Sequence, residues 1–302
     1  VVERKGGKIL LRSKVERILI ENGRAVGVEF SNKHLGKRVV KADAVICNAD
    51  IKQALLGLIG REHLKPQTVR RAEQFEMSPA MGVVYLGIDM DLKAMGLKNT
   101  NYRIYPGCDY EKAYREVFAG EFPEEPHLFI GNATMKDPDN PAIAPPGIYN
   151  LQLMSAVPST PQSWGVTQAE LTDGSYRTNP VYLEKKQWYA RQLIALAERV
   201  IPGMSGHIVY QEVSTPFSVT RFIGSEGGTS YGLAFTPEYF LHNRPGAKTE
   251  IRNLYLCGAS CHPGPGVTFL PGYNCAYELM AASAAQGESA AATISTTTST
   301  ST

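Results

Sequence analysis

The stretch NLYLCGASCHPGPGV, Asn253–Val267, constrains the fold of this chain more than any other segment. Its apolar run, Leu254 to Cys257, indicates a buried strand that stops at Gly258. Small residues and a Pro-Gly-Pro-Gly run follow, ahead of an Ala-rich segment, Cys275 to Ala285, that predicts a helix. Because glycine has no Cβ, such a loop lets a pyrophosphate or an electron-rich ring approach the main chain near a helix N-terminus. The alternative is a tight turn in a crowded core.

The N-terminal part of the chain reads as β-structure. Two apolar runs, Val15 to Ile20 and Arg24 to Phe30, flank Asn22-Gly23, a pair typical of a hairpin whose turn needs positive φ. The run Ala44 to Cys47 predicts a strand buried on both faces, as in a parallel sheet. Asn48 or Asp50 then caps a helix that ends at Gly57 or Gly60.

The middle of the chain alternates strands and helices. Strands are predicted at Met81 to Met90, in HLFIGNA, in IYNLQLMSAV and in HIVYQEV. Helices are predicted at Thr68 to Glu76, at Tyr110 to Ala119 after the capping residue Asp109, and at Leu183 to Val200. From Thr215 the composition shifts to Gly, Pro, Ser and aromatic residues. This order predicts an α/β protein of about two domains.

Composition excludes several classes without identifying one. The chain carries 31 Lys and Arg against 29 Asp and Glu, a balance that gives no support for nucleic-acid binding. Its cysteines are odd in number and scattered, which favours a reducing compartment. Cys257 and Cys261 have a C-x3-C spacing, but no second Cys or His pair stands at ligand spacing, so no metal site is predicted. No apolar run approaches the roughly 18 residues of a transmembrane helix.

Several segments carry a resemblance to a known family. In chain order they are GGKILLRSKVERILIENGRAVGVEF, SPAMGVVYLGID, DPDNPAIAPPG, TPFSVTRFIGSEGGTSYGLAFTPEYFLHNRPG and NLYLCGASCHPGPGV. Each alone is weakly specific, but the resemblance that they carry in this order covers about residues 6–282, nearly the whole chain. Together they resemble the C-terminal part of the phytoene desaturase-like family of FAD-dependent oxidoreductases, which includes carotenoid desaturases, prolycopene isomerase-like proteins and retinol saturase-like proteins.

The resemblance implies an α/β fold, with part of a three-layer FAD-binding domain and an inserted mixed-sheet α+β substrate domain. Residues 1–52 and 215–286 are then parts of the FAD-binding domain, and residues 53–214 form the substrate domain. The Ser- and Thr-rich residues 287–302 predict a disordered tail.

The resemblance also implies cofactor-binding residues on several segments. Those bordering the ribityl and pyrophosphate groups are Gly258, Ala259 and Ser260. Those under the isoalloxazine ring, at the start of the last helix, are Gly266, Val267 and Thr268. Those meeting the adenine or the pyrophosphate are Val15, Asn48 and Ala49. Main-chain N–H groups beside the ring would stabilise negative charge on the reduced flavin.

Five further residues stand out in the C-terminal third. Tyr231 and Phe235 line an apolar substrate channel or, as is common for aromatic residues, build core. Arg221 and Arg244 are expected to hold loops by salt bridges. His262 lies in the glycine loop and either meets the flavin or the substrate or has a structural role. No nucleophile elbow or acid–base triad is visible, so the chemistry is expected to be the flavin's own.

The chain departs from the family in one respect. No strand followed by G-x-G-x-x-G, which would hold the FAD pyrophosphate on a helix N-terminus, occurs in it. We therefore expect a C-terminal fragment whose N-terminal FAD-binding half is missing. A separate chain that supplies this half, and loss of FAD binding, are the alternatives.

The function implied by the resemblance is FAD-dependent redox chemistry on a carotenoid-like or other apolar isoprenoid polyene. The reaction would be desaturation, saturation or redox-cycled isomerisation, with hydride transfer to flavin N5. Two alternatives remain: a non-catalytic module that binds a partner, and an amine-oxidase-like flavoenzyme. We expect a cytoplasmic protein, with peripheral contact to a membrane as its apolar substrate would favour.

Overall fold

The computed structural model describes residues 1–267 and 269–297. Its contacts divide the chain into two compact units. The first contains Val1–Glu76 and the described residues from Tyr231 onward, and the second is Met77–Ser230. The boundaries expected from the sequence, after residues 52 and 214, differ from these. Residues 53–76 lie in the first unit because their helices pack beside its N-terminal strands.

The N-terminal hairpin is confirmed. Strands β1 (Ser13–Glu21) and β2 (Arg24–Asn32) pair antiparallel, and β3 (Gly36–Lys41) extends the sheet from β2. The turn residues Asn22 and Gly23 have φ of 50° and 69°, the left-handed conformation that a tight hairpin turn requires.

A two-stranded parallel pair underlies the glycine segment. Strand β4 (Val45–Cys47) pairs with β10 (Leu254–Leu256), a strand from the far end of the sequence. Ile46 is 49% exposed, so the expectation that β4 is buried on both faces is wrong for this side chain. The described residues thus form part of a parallel sheet, and the full three-layer arrangement is not seen in them.

Helices follow β4 as the sequence predicts. Asp50, rather than Asn48, caps the first, because its Oδ1 accepts the N–H groups of Lys52 and Gln53 at 3.0 Å each. This helix, Gln53–Gly60, has π-type hydrogen bonding and ends where Gly60 takes a φ of 91°. Helix α1 (Pro66–Glu73) comes next.

The second unit is built on one five-stranded sheet. Its strands are β5 (Ala80–Ile88), β6 (Tyr102–Ile104), β7 (Leu128–Asn132), β8 (Tyr149–Val157) and β9 (Ile208–Ser214). Their order is β6-β7-β8-β5-β9, and every pairing is antiparallel. The expected mixed sheet is therefore wrong, because strand direction depends on long-range pairing that alternation of apolar residues does not encode.

Five helices accompany this sheet. They are α2 (Tyr110–Phe118), α3 (Ala133–Lys136), α4 (Gln168–Asp173), α5 (Pro180–Ala197) and α6 (Pro216–Ile223). Of these, the sequence predicted only α2 and α5. Helix α5 covers one face of the sheet, where the Tyr189 hydroxyl donates to the Gly82 carbonyl at 3.0 Å. Leu153 and Leu193 are fully buried there.

The last helix, α7 (Phe269–Thr297), begins earlier and ends later than predicted. Its Ala-rich sequence favours helix through residues where a disordered tail was expected to start. Residues 298–302 of that expected tail lie outside the described residues. No helix within the described part of the chain is long and apolar enough to span a bilayer.

Candidate functional site

The glycine segment begins at the carboxyl ends of the parallel strands. The N–H of Cys257 donates to the Cys47 carbonyl at 3.0 Å and extends the β4–β10 ladder by one step. Gly258, with a φ of 101°, and Asn48 follow directly on the two strands, so the structure brings these residues together. In open α/β sheets, ligands bind outside the carboxyl ends of parallel strands.

Gly258 has a packing reason to be glycine. A Cβ at this position would lie 2.0 Å from Oδ1 of Asn48. The missing side chain therefore makes room for the Asn48 carboxamide, and a positive φ would strain any other residue. At this residue the structure supports the tight-turn interpretation.

Ser260 connects the glycine segment to the upstream glycine-rich run. Its side chain is buried, at 8% exposure, and its Oγ accepts the Leu233 N–H at 3.2 Å. A Cβ on Gly232 would lie 2.2 Å from that Oγ, so Gly232 must lack one. Sequence reasoning placed Ser260 at a cofactor but did not predict this contact.

Arg244 is the main polar anchor of the loop. It is 3% exposed and donates to three carbonyls: Nη1 to Ala259 at 3.1 Å, and Nη2 to Leu233 and Ala234 at 3.0 and 2.9 Å. Burial lowers the pKa of its guanidinium. The expected salt bridge is wrong for Arg244, since no described carboxylate pairs with it.

The same guanidinium explains a second glycine. A Cβ on Gly264 would lie 2.8 Å from Nε of Arg244, and Gly264 has a φ of 116°. The Arg244 guanidinium also stands over the Phe235 ring, 5.3 Å from its centroid. One arginine therefore holds the middle of the glycine segment in place.

Gly266 is different, because it is exposed and its missing Cβ faces open space. Pro265–Val267 form a short 3-10 turn directly ahead of α7. The predicted site residue Thr268 lies outside the described residues. The main chain around Gly266 is thus the part of the segment that a flat group can approach, and in this respect the residues fit a flavin ring.

The remaining predicted cofactor residues lie on separate strands and turns. Val15 is half-buried in β1, opposite Phe30. Ala49 is half-buried after β4. Val15 belongs to the antiparallel sheet and Ala49 follows the parallel pair, so the structure does not bring these two onto one sheet.

Tyr231 and Phe235 are surface residues rather than core. They are 44% and 59% exposed, and the Phe235 ring makes an edge contact with Phe240, with centroids 5.9 Å apart. The core interpretation is therefore wrong for both, and their contact with a substrate stays a prediction.

His262 stacks on His242 with ring centroids 5.7 Å apart and planes at 20°. The main-chain N–H of His262 donates to the Pro245 carbonyl at 2.9 Å, and the His262–Pro263 peptide bond is cis. These contacts give the residue a structural role in the loop. No partner among the described residues reaches its buried Nδ1.

Four cysteines surround the start of the segment. Burial and neighbouring thiols raise the pKa of Cys257 to about 11 and that of Cys261 to about 12. Burial also raises the pKa values of Cys47 and Cys275. Thiols held neutral in this way are poor nucleophiles. Across residues 1–267 and 269–297, no group of three or more His, Cys, Asp and Glu residues is arranged to hold a metal ion.

Comparison with known proteins gives relatives of one kind. The chain is 26% identical over 270 residues to the lycopene-forming phytoene desaturase of Pseudescherichia vulneris, which covers 87% of this chain and 49% of the relative. It is 29% identical over 283 residues to the chloroplastic prolycopene isomerase 2 of an Oncidium hybrid cultivar, covering 92% and 43%. No family model matches the chain.

These relatives are desaturases and isomerases of carotenoids by name, which indicates the class of oxidoreductases. They confirm the resemblance to the phytoene desaturase-like family of flavoenzymes. The chain spans about half the length of the curated relatives it matches. Among solved structures, an oxidoreductase from Methanosarcina mazei is similar with a TM-score of 0.49 and 16% identity, covering 92% of this chain and 51% of that one.

Proposed function

We propose that this chain is part of an FAD-dependent oxidoreductase that acts on a carotenoid-like or other apolar isoprenoid polyene. The observation that carries the proposal is the accessible main chain at Gly266, ahead of α7 and beyond the parallel pair β4–β10. The curated relatives supply the substrate class, since their names are those of carotenoid desaturases and isomerases. The proposal leaves the direction of the redox reaction open.

The residues that would hold the flavin fall into two groups. The first group is Gly266, Val267 and Thr268, whose main-chain N–H groups would face the ring and stabilise negative charge on it. The packed group, Gly258, Ala259 and Ser260 with Asn48 and Ala49, would border the ribityl and pyrophosphate groups. Val15 would meet the adenine. A bound flavin would supply the hydride chemistry at N5.

Arg244 supports the proposed site without touching the cofactor in this scheme. By holding the carbonyls of Leu233, Ala234 and Ala259, it fixes the backbone from which Gly266 extends. A positive charge inside the same loop would also favour an electron-rich group nearby. Desaturation removes a hydride and a proton from neighbouring carbons, and saturation adds both; the flavin would take or give the hydride, and we assign no residue to the proton.

One sheet face in the second unit is open and partly apolar. Along β5, alternate residues face away from α5, and these include Met81 and Tyr85. Met81 pairs across the strands with Ala156, whereas Tyr85 pairs with Gln152 and Glu212. The face is therefore mixed, and its apolar part is compatible with a flat, apolar substrate. In the first unit, the exposed Tyr231 and Phe235 are proposed separately as substrate contacts.

The proposed cofactor site needs a strand–G-x-G-x-x-G–helix segment that these 302 residues do not contain. We propose that such a segment completes it. The test is to express the chain by itself and together with the N-terminal half of a relative, and to record visible spectra after gel filtration. A visible absorption band at ~450 nm that the protein retains after gel filtration reports bound flavin.

Two matched glycine substitutions make the test specific. Gly266→Val places a side chain where the ring is proposed to lie, and Gly246→Val places one in equally open space elsewhere in the same unit. We expect Gly266→Val to weaken flavin binding by about tenfold or more, or ~1.4 kcal/mol, and Gly246→Val to leave it unchanged. Neither glycine has a positive φ, so a difference in flavin binding between the two variants does not come from backbone strain.

The alternatives give different outcomes. A chain that stays colourless in both preparations is the non-catalytic module, and the proposal fails. Equal flavin binding by the two valine variants would place the cofactor elsewhere. If flavin is retained, anaerobic addition of a carotenoid or of a primary amine, with bleaching as the readout, separates the polyene enzyme from the amine-oxidase-like one.

A further inference from the structure

A cleft of about 570 Å³ opens in the second unit, and none of its lining residues is among those assigned above to the flavin. Helix α4 contributes Leu171 and helix α6 contributes Phe217 and Arg221 to its walls. Phe217 and the neighbouring Tyr176 are buried and form an aromatic floor. Its volume lies within the range of small-molecule sites, roughly 300–1,000 Å³.

A second cleft of about 320 Å³ adjoins the first. Tyr176, Arg177 and Arg221 line both, so the two arginines form the wall that the clefts share. Lys186 adds a third basic side chain to the smaller cleft. We call the two clefts together the arginine cleft.

The basic groups of the arginine cleft form no ion pair within their unit. Within Met77–Ser230, the ion pairs involve other residues, and none joins a described carboxylate to Arg177, Arg221 or Lys186. This overturns the salt bridge expected for Arg221, whose guanidinium instead lies 5.1 Å from the Phe222 ring centroid. In the Arg177 guanidinium, only Nε makes a hydrogen bond to a described residue, and it donates to the Gly174 carbonyl at 2.9 Å.

The two acidic residues of the cleft walls have other partners. Asp173 Oδ1 accepts the Ser175 N–H at 2.8 Å. Glu212 Oε2 accepts the Tyr210 hydroxyl at 2.7 Å. Burial lowers the pKa of Lys186, and the charge of Glu212 opposes this shift. An anion between the two arginines would therefore be attracted from solution without first displacing a protein carboxylate, whereas Glu212 partly offsets the charge of Lys186.

We propose that the arginine cleft binds an amphiphilic phosphate, with its phosphate between Arg177 and Arg221 and its apolar chain along Leu171, Tyr176 and Phe217. Guanidinium groups bind phosphate oxygens in a bidentate fork, and two of them on one wall suit a group with several oxygens. Burial of an apolar chain against the aromatic floor would stabilise the complex through the hydrophobic effect. A bare phosphate would leave that floor unused.

The test is isothermal titration calorimetry of the full chain with octyl phosphate, below its micelle concentration. Inorganic phosphate and octanol each lack one half of the proposed ligand. The variants are Arg177→Gln and Arg221→Gln, singly and together, with Arg191→Gln plus Arg199→Gln as a control of equal charge change on exposed residues of the same unit. Arg177→Lys with Arg221→Lys keeps the charge but removes the fork.

We expect octyl phosphate to bind more tightly than either half. Each Gln substitution should weaken binding about tenfold, or ~1.4 kcal/mol, the Lys pair should give an intermediate affinity, and the control should stay within about twofold of the wild type. Flotation with vesicles containing phosphatidic acid identifies the source. Arginine-dependent flotation without binding of free octyl phosphate means a lipid headgroup, whereas binding of octyl phosphate without flotation means a free amphiphile.

The proposal fails if neither octyl phosphate nor the vesicles bind. It also fails if octanol binds as tightly as octyl phosphate, or if the Gln pair binds either probe like the wild type. Thermal unfolding of each variant, compared with that of the control pair, excludes loss of the fold as the cause of lost binding. Flavin content does not enter any of these readouts, so this proposal and the proposed function fail separately.

Discussion

At the scale of single residues, the glycine segment is shaped by what fills the missing side chains. Asn48 occupies the space beside Gly258, and Arg244 occupies the space beside Gly264. Only Gly266, of these three glycines, leaves its space open. A run of glycines that looks uniform in the sequence thus has two roles, since two make room for the protein's own polar side chains and one leaves room for another molecule.

Arg244→Lys tests the packed part of the segment. A lysine keeps the charge but cannot reach three carbonyls with a planar fork, so buried acceptors lose their partners. We expect the free energy of unfolding, measured in urea, to fall by about 2–3 kcal/mol. Arg252→Lys is the control, because Arg252 makes one exposed bond to the Asn22 carbonyl and should cost less than about 0.5 kcal/mol. Equal stability of the two variants would contradict the anchoring role of Arg244.

At the scale of elements, helix α4 and the start of α5 are held by one network of caps. Thr167 and Glu170 form a capping box at α4, in which the Thr167 N–H donates to Glu170 Oε2 at 2.7 Å. Asn179 caps α5 through the N–H groups of Val181 and Tyr182, and its Nδ2 donates to Glu170 Oε1 at 2.8 Å. Glu170 therefore joins two helix starts that border the arginine cleft.

This network predicts a pH dependence of stability. The Thr167 N–H, then the Thr167 hydroxyl and Asn179, lower the pKa of Glu170 from its ordinary value of 4.5. Because the folded pKa is lowered, folding favours the carboxylate. Its contribution is present above pH 4.5 and is lost as the pH falls through the folded pKa.

Thermal unfolding of Glu170→Gln between neutral and acid pH checks this. We expect the variant to melt below the wild type at neutral pH and the difference to shrink on acidification. Glu184→Gln, on the exposed face of α5, is the control and should show no such convergence. A difference in melting temperature that stays constant from neutral to acid pH would mean that the charge of Glu170 does not contribute to stability.

At the scale of the whole molecule, each unit has its own buried side chains. The core of Met77–Ser230 lies between the five-stranded sheet and α5, with Trp164, Leu193 and Met204 fully shielded from solvent. The other unit buries Ile18, Phe30 and the residues of β10. Two separate sets of buried contacts predict two cooperative units in hydrogen exchange.

Leu193→Ala tests this division. Removing the fully buried side chain should lower the stability of the second unit by about 2–5 kcal/mol. We expect amides of β5 and β8 to lose protection and those of β1 and β2 to keep it. Leu183→Ala, on an exposed position of the same helix, controls for helix propensity. Equal loss of protection in both units would show a single cooperative unit.

Local sequence determined the features whose causes lie within a few residues. The hairpin at Asn22-Gly23 follows from two positions that need positive φ, and the start of α2 follows from Asp109, whose Oδ1 accepts two N–H groups of the first turn. The order of family-like segments also predicted a resemblance to the phytoene desaturase-like family, and the relatives confirm that resemblance.

Only the tertiary structure decided the features that join distant residues. The pairing of β4 with β10, the antiparallel sheet of the second unit and the carbonyl partners of Arg244 all depend on segments far apart in the chain. So does the arginine cleft, whose two arginines come from separate helical segments. The physical reason is that the hydrogen bonds of caps and turns form between neighbours in sequence. Buried packing and electrostatic contacts instead form between whichever residues the fold brings near.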